Sequence, residues 1–170
     1  PDYVAALKRV SIIVFLTTAI SSIVFQSTTF ALPKIFDERL QGLATDLATW
    51  ADGGGSGGEA TVIGMLAFVV FAVASMAQLI VGSMLDRVGP KRVFLTVAAI
   101  QLVFFSLMPG LFDALALAAA FGFMLGAFGQ IPINDFMIGK MASGPFRARI
   151  YGVRYVVSFT VLAASLPLIA

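Results

Sequence analysis

The chain contains no histidine and no cysteine. Their absence removes disulfide scaffolds, thiol nucleophiles, zinc sites built on His or Cys, bis-His haem, and every Ser-His or Cys-His catalytic pair. Charge is also scarce. Only 12% of the 170 residues are Asp, Glu, Lys or Arg, against 59% hydrophobic, and the mean hydropathy is +0.99. Soluble globular domains carry about 25% charged residues, so a water-soluble reading is excluded. The net charge of +2 gives no sign of a nucleic-acid partner. An all-α membrane protein is expected, with the lipid bilayer as its solvent and no metal or cofactor.

A bilayer's hydrocarbon core of about 30 Å takes roughly 20 apolar residues in a helix. Five stretches meet or approach that length, at about 10–31, 60–85, 93–112, 114–138 and 150–170. The fifth is the shortest uncharged run, from Tyr155 to Ala170, and ends on Leu-Ile-Ala, while the first residue is Pro1. Both ends therefore read as interior to a longer polypeptide. A cleaved signal peptide is the competing reading of the first stretch, since Lys8 and Arg9 precede it and Thr29-Phe30-Ala31 resembles a cleavage site. Its apolar run is longer than a signal needs, and it carries a polar stripe.

Orientation follows from the placement of Lys and Arg. Lys8 and Arg9 precede the first stretch; Arg87, Lys91 and Arg92 separate the second and third; Lys140, Arg147, Arg149 and Arg154 separate the fourth and fifth. The other side holds only Lys34 and Arg39. The amino-terminal end is thus expected to be cytoplasmic, in a cell (inner) membrane, and residues 32–59 to form an extracytoplasmic loop. Asp52-Gly-Gly-Gly-Ser-Gly-Gly-Glu59 has linker composition, and Leu40 to Trp50 has the pattern of a short amphipathic helical turn. The glycines lack the strand, helix and lysine of a phosphate cradle and read as a spacer.

One motif is informative. Between the second and third stretches stands Gly82-Ser-Met-Leu-Asp86-Arg87-Val-Gly89-Pro90-Lys91-Arg92. Gly89 suits a residue just past a helix end and Pro90 the first turn of the next helix, so a very tight turn is predicted. Gly82 suits close approach of another helix. Asp86 opposes the dipole of the helix it ends, and its placement makes sense if a cation or another helix N-terminus meets it. The bland alternative is a basic turn that merely obeys the positive-inside rule.

The pattern G-x-x-x-D-R-x-G-x-[KR]-[KR] in a cytoplasmic turn resembles the signature loop of the major facilitator superfamily, which joins helices two and three and recurs more weakly between helices eight and nine. Pro90 departs from the family, which usually has a basic residue there. A second segment, Gly129-Gln-Ile-Pro-Ile-Asn-Asp135 followed by Gly144-Pro-Phe-Arg147-Ala-Arg149-Ile-Tyr-Gly152, resembles the loop between the fourth and fifth helices of a facilitator half, with Arg147 and Arg149 as its cytoplasmic basic residues. The resemblance covers nearly the whole chain. It implies five transmembrane helices of a six-helix half, the C-terminal half in the notation of the family. It further implies that Asp86 with Arg87, Lys91 and Arg92 forms a charge network stabilising the outward-facing state, and that a small-molecule solute and the missing half of the same transporter are the partners.

Substrate in such halves binds near the midplane, so polar residues on one helical face are the candidate path. Thr18, Ser22, Gln26 and Thr29 form one stripe in the first stretch; back-bonding to the helix's own carbonyls is the competing reading. Gln130 and Asn134 lie one turn apart around Pro132, which removes a backbone hydrogen bond. Ser75 and Gln78 read as packing residues, and Gly122 with Gly126 as a GxxxG packing feature rather than a dimer site. No charged residue sits at the centre of any stretch; Asp135 is the nearest to one. The expected function is part of a secondary active transporter working by alternating access. The alternatives are a small non-catalytic membrane subunit or an intramembrane enzyme. The last would need an aspartyl dyad, for which only Asp86 and Asp135 present themselves, or a Ser-Lys pair.

Overall fold

The computed structural model describes residues 2–52, 58–141 and 147–169. Every regular element among them is helical: α1 (Asp2–Arg39), α2 (Gln41–Asp52), α3 (Gly58–Val88), α4 (Pro90–Leu107), α5 (Asp113–Met141) and α6 (Arg147–Ile169), with a 3-10 turn at Met108–Gly110. Four segments are long and apolar enough to cross a membrane: Phe15–Arg39, Gly58–Val88, Pro90–Gly110 and Asp113–Lys140. At 1.5 Å per residue the 31 residues of α3 reach about 46 Å, beyond the hydrocarbon thickness of about 30 Å. The chain is therefore a multi-pass helical membrane protein. The expected fifth span, 150–170, is helical in α6, but Arg147, Arg149 and Arg154 occupy its first third and it is not among the four.

The α3–α4 connection is as tight as the sequence predicts. Val88 ends one helix, Gly89 alone lies between with φ 91°, and Pro90 opens the next as its first residue. A side chain at that φ would be strained, which accounts for glycine there. The described part of 32–59 is helical rather than loop, and the short helix expected over Leu40 to Trp50 is present as α2. α1 continues through Pro33 to Arg39, and α2 follows after Leu40 alone. The reason is a buried stripe at four-residue spacing, Leu32, Phe36, Leu40, Ala44 and Ala48, which offsets the charges of Lys34, Asp37 and Glu38 by keeping them on the outer face. Helical bonding even passes through Leu40, whose N–H donates to the Phe36 carbonyl and whose carbonyl accepts from Ala44 N–H. The glycines at 53–57 lie outside the described residues.

The central helix is α5, which touches every other helix. Ala116, Ala119, Ala120, Gly122, Gly126 and Ala127 let its neighbours approach its backbone. A Cβ on Gly122 would sit 2.5 Å from the Phe104 ring, and one on Gly126 would sit 2.6 Å from Gln101 Cγ. The GxxxG is thus the seat of α4, an internal packing feature as expected. Gly82 is different: nothing lies within 4 Å of a Cβ there, so the close approach expected at Gly82 is not made by any of the described residues.

Two apolar cores result. One joins Leu32, Phe36 and Leu40 to Ile63, Ala67 and Met124; the other, towards the α3–α4 turn, joins Val81, Leu85, Val93, Val97 and Ile133. Between them, Gln101 of α4 and Gln130 of α5 form a polar layer in which the Gln130 amide donates to Gln101 Oε1. α6 packs chiefly on α1.

Candidate functional site

The polar face of α1 meets α5 and α6 beside that layer. A cleft of ≈ 200 Å³ opens there, lined from α1 by Ser21, Ser22 and Gln26, from α5 by Gln130 and Asn134, and from α6 by Arg154 and Ser158, with Phe25, Tyr155 and Phe159 as its aromatic walls. Ser22, Gln26, Gln130 and Asn134, chosen from sequence as path residues on two separate helices, thus share one cavity. Thr18 is adjacent on α1 but fully buried, and its hydroxyl has no partner. Thr29 lies outside the cleft and donates to the Phe25 carbonyl at 2.7 Å.

Of the stripe, Thr29 back-bonds, as do its neighbours Ser27 and Thr28, whereas Ser22 and Gln26 line the cleft. Ser27, Thr28 and Thr29 bond back to carbonyls three or four residues earlier, as polar side chains in apolar helices do. Ser22 instead bonds across helices to Ser158, Oγ to Oγ at 2.9 Å. On α5, Pro132 has no N–H, so the carbonyl of Phe128 loses its helical donor beside the cleft floor. Asn134 is 5% exposed with Oδ1 unpartnered. A buried amide oxygen in that state costs free energy unless water or a solute meets it.

Arg154 and Asp135 are the residues whose role sequence reading missed. Arg154 was counted among the cytoplasmic basic residues and Asp135 placed at the edge of a span. In the fold they form an ion pair between α6 and α5, and the Tyr151 hydroxyl donates to the Asp135 carbonyl at 3.1 Å. The Arg154 side chain is 11% exposed and lines the cleft, whereas that of Asp135 is 44% exposed and does not. The signal was present as a stripe: Tyr151, Arg154, Tyr155 and Ser158 recur at helical spacing, but a charge between two stretches draws attention to sidedness first.

The signature turn shows no such assembly. Asp86, Arg87, Lys91 and Arg92 are exposed, and none has an ion pair among the described residues. The network expected around Asp86 is therefore not seen among the described residues. Arg147 opens α6, its side chain outside those described; Arg149 is exposed on the same turn. The Gly144-Pro-Phe segment lies outside the described residues. Ser75 bonds back to the Ala72 carbonyl at 2.7 Å, so it does not pack polar-to-polar between helices.

A second recess, ≈ 230 Å³ and mostly apolar, lies between α1, α4 and α5, lined by residues including Leu32, Ile35, Phe104, Met108 and Phe123. It holds no charged group and continues the surface of the bundle. No family model, characterised protein or solved structure matches the chain.

Proposed function

We propose that this chain is the major part of one half of a secondary transporter of the major facilitator type. It would carry a small solute across a cell membrane by alternating access, with its amino-terminal end cytoplasmic. The observation that carries the reading is the convergence of Ser22, Gln26, Gln130 and Asn134 on one cleft between α1, α5 and α6. Polar groups in apolar helices are costly unless they pair or line a cavity, and a midplane cavity between bundles is where such carriers bind solute. The signature turn supports the same reading. With one residue between α3 and α4 the two helices move as a unit, and Asp86 with its basic neighbours is presented unpaired, available to a second bundle.

The absence of cysteine supplies the experiment. In the native polypeptide carrying this sequence, Gln130→Cys is expected to react with a polar thiol reagent from one face in one state and from the opposite face in the other. Asp86→Asn is expected to shift that ratio away from the outward-facing state. Static, one-sided access in both backgrounds would overturn the carrier reading and favour a non-catalytic membrane subunit.

A further inference from the structure

We infer that the cleft between α1, α5 and α6 selects a small organic monocarboxylate, bound through the guanidinium of Arg154. The inference rests on the transporter reading for the solute's fate but not for its binding.

Four observations lead to it. The first is the charge of the lining: among the described residues Arg154 is the only charged side chain facing the cleft, and the others are hydroxyls, amides and apolar groups. The second is the asymmetry of its ion pair. Asp135 is the more exposed member and lies outside the lining, so the pair presents its positive member to the cavity. A guanidinium carries five N–H donors in a planar fork. Asp135 pairs with Nη1 alone, and the other N–H groups of the fork are the donors that a second planar acceptor such as a carboxylate would use. The third is number. The guanidinium is already balanced by Asp135, so an incoming anion must displace that carboxylate, and a single negative charge replaces it more cheaply than the two of a phosphate. The fourth is the remaining wall: Phe25, Ala127, Ile131 and Phe159 suit a short hydrocarbon or aromatic body. The ≈ 200 Å³ available is below the roughly 300–1,000 Å³ of sites for drug-sized ligands, so the solute is small. Asn134 Oδ1, buried and unpartnered on the same wall, offers an acceptor to a hydroxyl or amide hydrogen on that body.

Neighbouring charge gives the inference a sign that a structural role for Arg154 lacks. Asp135 competes with an incoming carboxylate for the guanidinium. Removing its charge should therefore tighten anion binding, while removing the guanidinium should abolish it. The native polypeptide, reconstituted in nanodiscs of phosphatidylcholine alone so that no anionic headgroup is present, is titrated with benzoate, benzyl alcohol, benzylamine and inorganic phosphate. Binding is read by thermal stabilisation and calorimetry. Benzoate is expected to bind at least roughly tenfold tighter than the isosteric alcohol, the scale of one charge-assisted hydrogen bond, with benzylamine and phosphate weaker than benzoate. Asp135→Asn is expected to tighten benzoate by several-fold. The double variant Arg154→Gln/Asp135→Asn, which leaves no unpaired buried charge, is expected to lose the preference for benzoate over the alcohol. Equal binding of benzoate and benzyl alcohol, or weaker benzoate binding in Asp135→Asn, would overturn the inference, and the second comparison needs no variant at Arg154. The two readings fail separately. Benzoate binding through Arg154 with static access at Gln130→Cys would sink the carrier alone; alternating access without anion preference would sink only the carboxylate.

Discussion

At the scale of single residues, the small positions of α5 control the bundle more than its large ones. Gly126 lets Gln101 lie against the α5 backbone, and Gln101 is the acceptor that satisfies the Gln130 amide. Gly126→Ala would drive a methyl into Gln101 Cγ and misplace Gln130 at the edge of the cleft. Gly122→Ala would do the same to the Phe104 ring, whose contact distance to a new Cβ is 2.5 Å. Overpacking of this kind costs about 1–3 kcal/mol, so both variants should unfold at lower denaturant in a detergent titration. Gly64→Ala, with nothing within 4 Å, should leave the midpoint unchanged or slightly raised. Much of the candidate site was legible at this scale. The i, i+4 spacing of Ser22 with Gln26 and of Gln130 with Asn134 marks one face of each helix, and facing polar stripes in apolar helices have few places to go except each other or a cavity. Gln101 was not legible, and Arg154 only as a member of a stripe on α6. A lone glutamine in α4 has no stripe to announce it, and only the fold brings Arg154 beside Asp135. The charge network proposed around Asp86 was legible as a pattern, but no partner for Asp86 lies among the described residues.

At the scale of elements, the outer end of the bundle is held by a cap supplied from a distant helix. α2 follows Leu40, which has no polar side chain to satisfy the free N–H groups of a first turn. Asp113, at the start of α5, does so instead: its carboxylate accepts the Leu43 N–H at 2.9 Å. Gly42 makes room, since a Cβ there would lie 3.0 Å from either carboxylate oxygen. Arg39 reinforces the joint by donating to the Pro109 carbonyl at 3.0 Å and lying 4.9 Å over the Phe112 ring. Asp113 has φ 49°, a left-handed conformation that Asp and Asn tolerate better than other side chains. Asp113→Ala therefore loses a cap and adds backbone strain. The cap alone is worth about 1 kcal/mol, and hydrogen exchange should quicken across α2 while α3 and α5 keep their protection. Asp113→Asn keeps the acceptor and the backbone preference and loses only the charge-dipole part, about 0.3–1 kcal/mol, so it should fall between. The same elements show why the fold was only partly legible. Gly89-Pro90 placed the α3–α4 turn because each residue dictates its own φ. The 32–59 region was read as loop because Pro33, Lys34, Asp37 and Glu38 break an apolar run, yet a helix needs only one apolar face. The four-residue spacing from Leu32 to Ala48 supplies that face.

At the scale of the whole molecule, the distribution of charge between the two ends sets how the bundle sits in a bilayer. The α3–α4 turn carries Arg87, Lys91 and Arg92, all exposed. The opposite end, where α1, α2 and the α4–α5 corner meet, has two cations, Lys34 and the already engaged Arg39, among Asp37, Glu38, Glu59 and Asp113. Orientation responds to Lys and Arg in short loops near helix ends and hardly to acidic residues, so the turn is the expected cytoplasmic anchor. These 170 residues contain no cysteine, and single replacements, in a polypeptide cleared of any other cysteine, report each end without background. Trp50 on α2 is 87% exposed and Phe112 beside the α4–α5 corner 59%, while Val88 at the turn is 44% exposed; none of the three carries charge, so replacing them leaves the orienting residues intact. With a membrane-impermeant maleimide on intact cells, Trp50→Cys and Phe112→Cys should label, and Val88→Cys should label only after permeabilisation. Labelling of Val88→Cys together with Trp50→Cys in intact cells would mean that α3 does not cross. If the pattern holds, replacing Arg87, Lys91 and Arg92 together by glutamine tests its cause. A basic-residue anchor predicts a mixed population in which Val88→Cys gains outside labelling, and neutralising Asp37, Glu38 and Glu59 instead should leave the pattern unchanged.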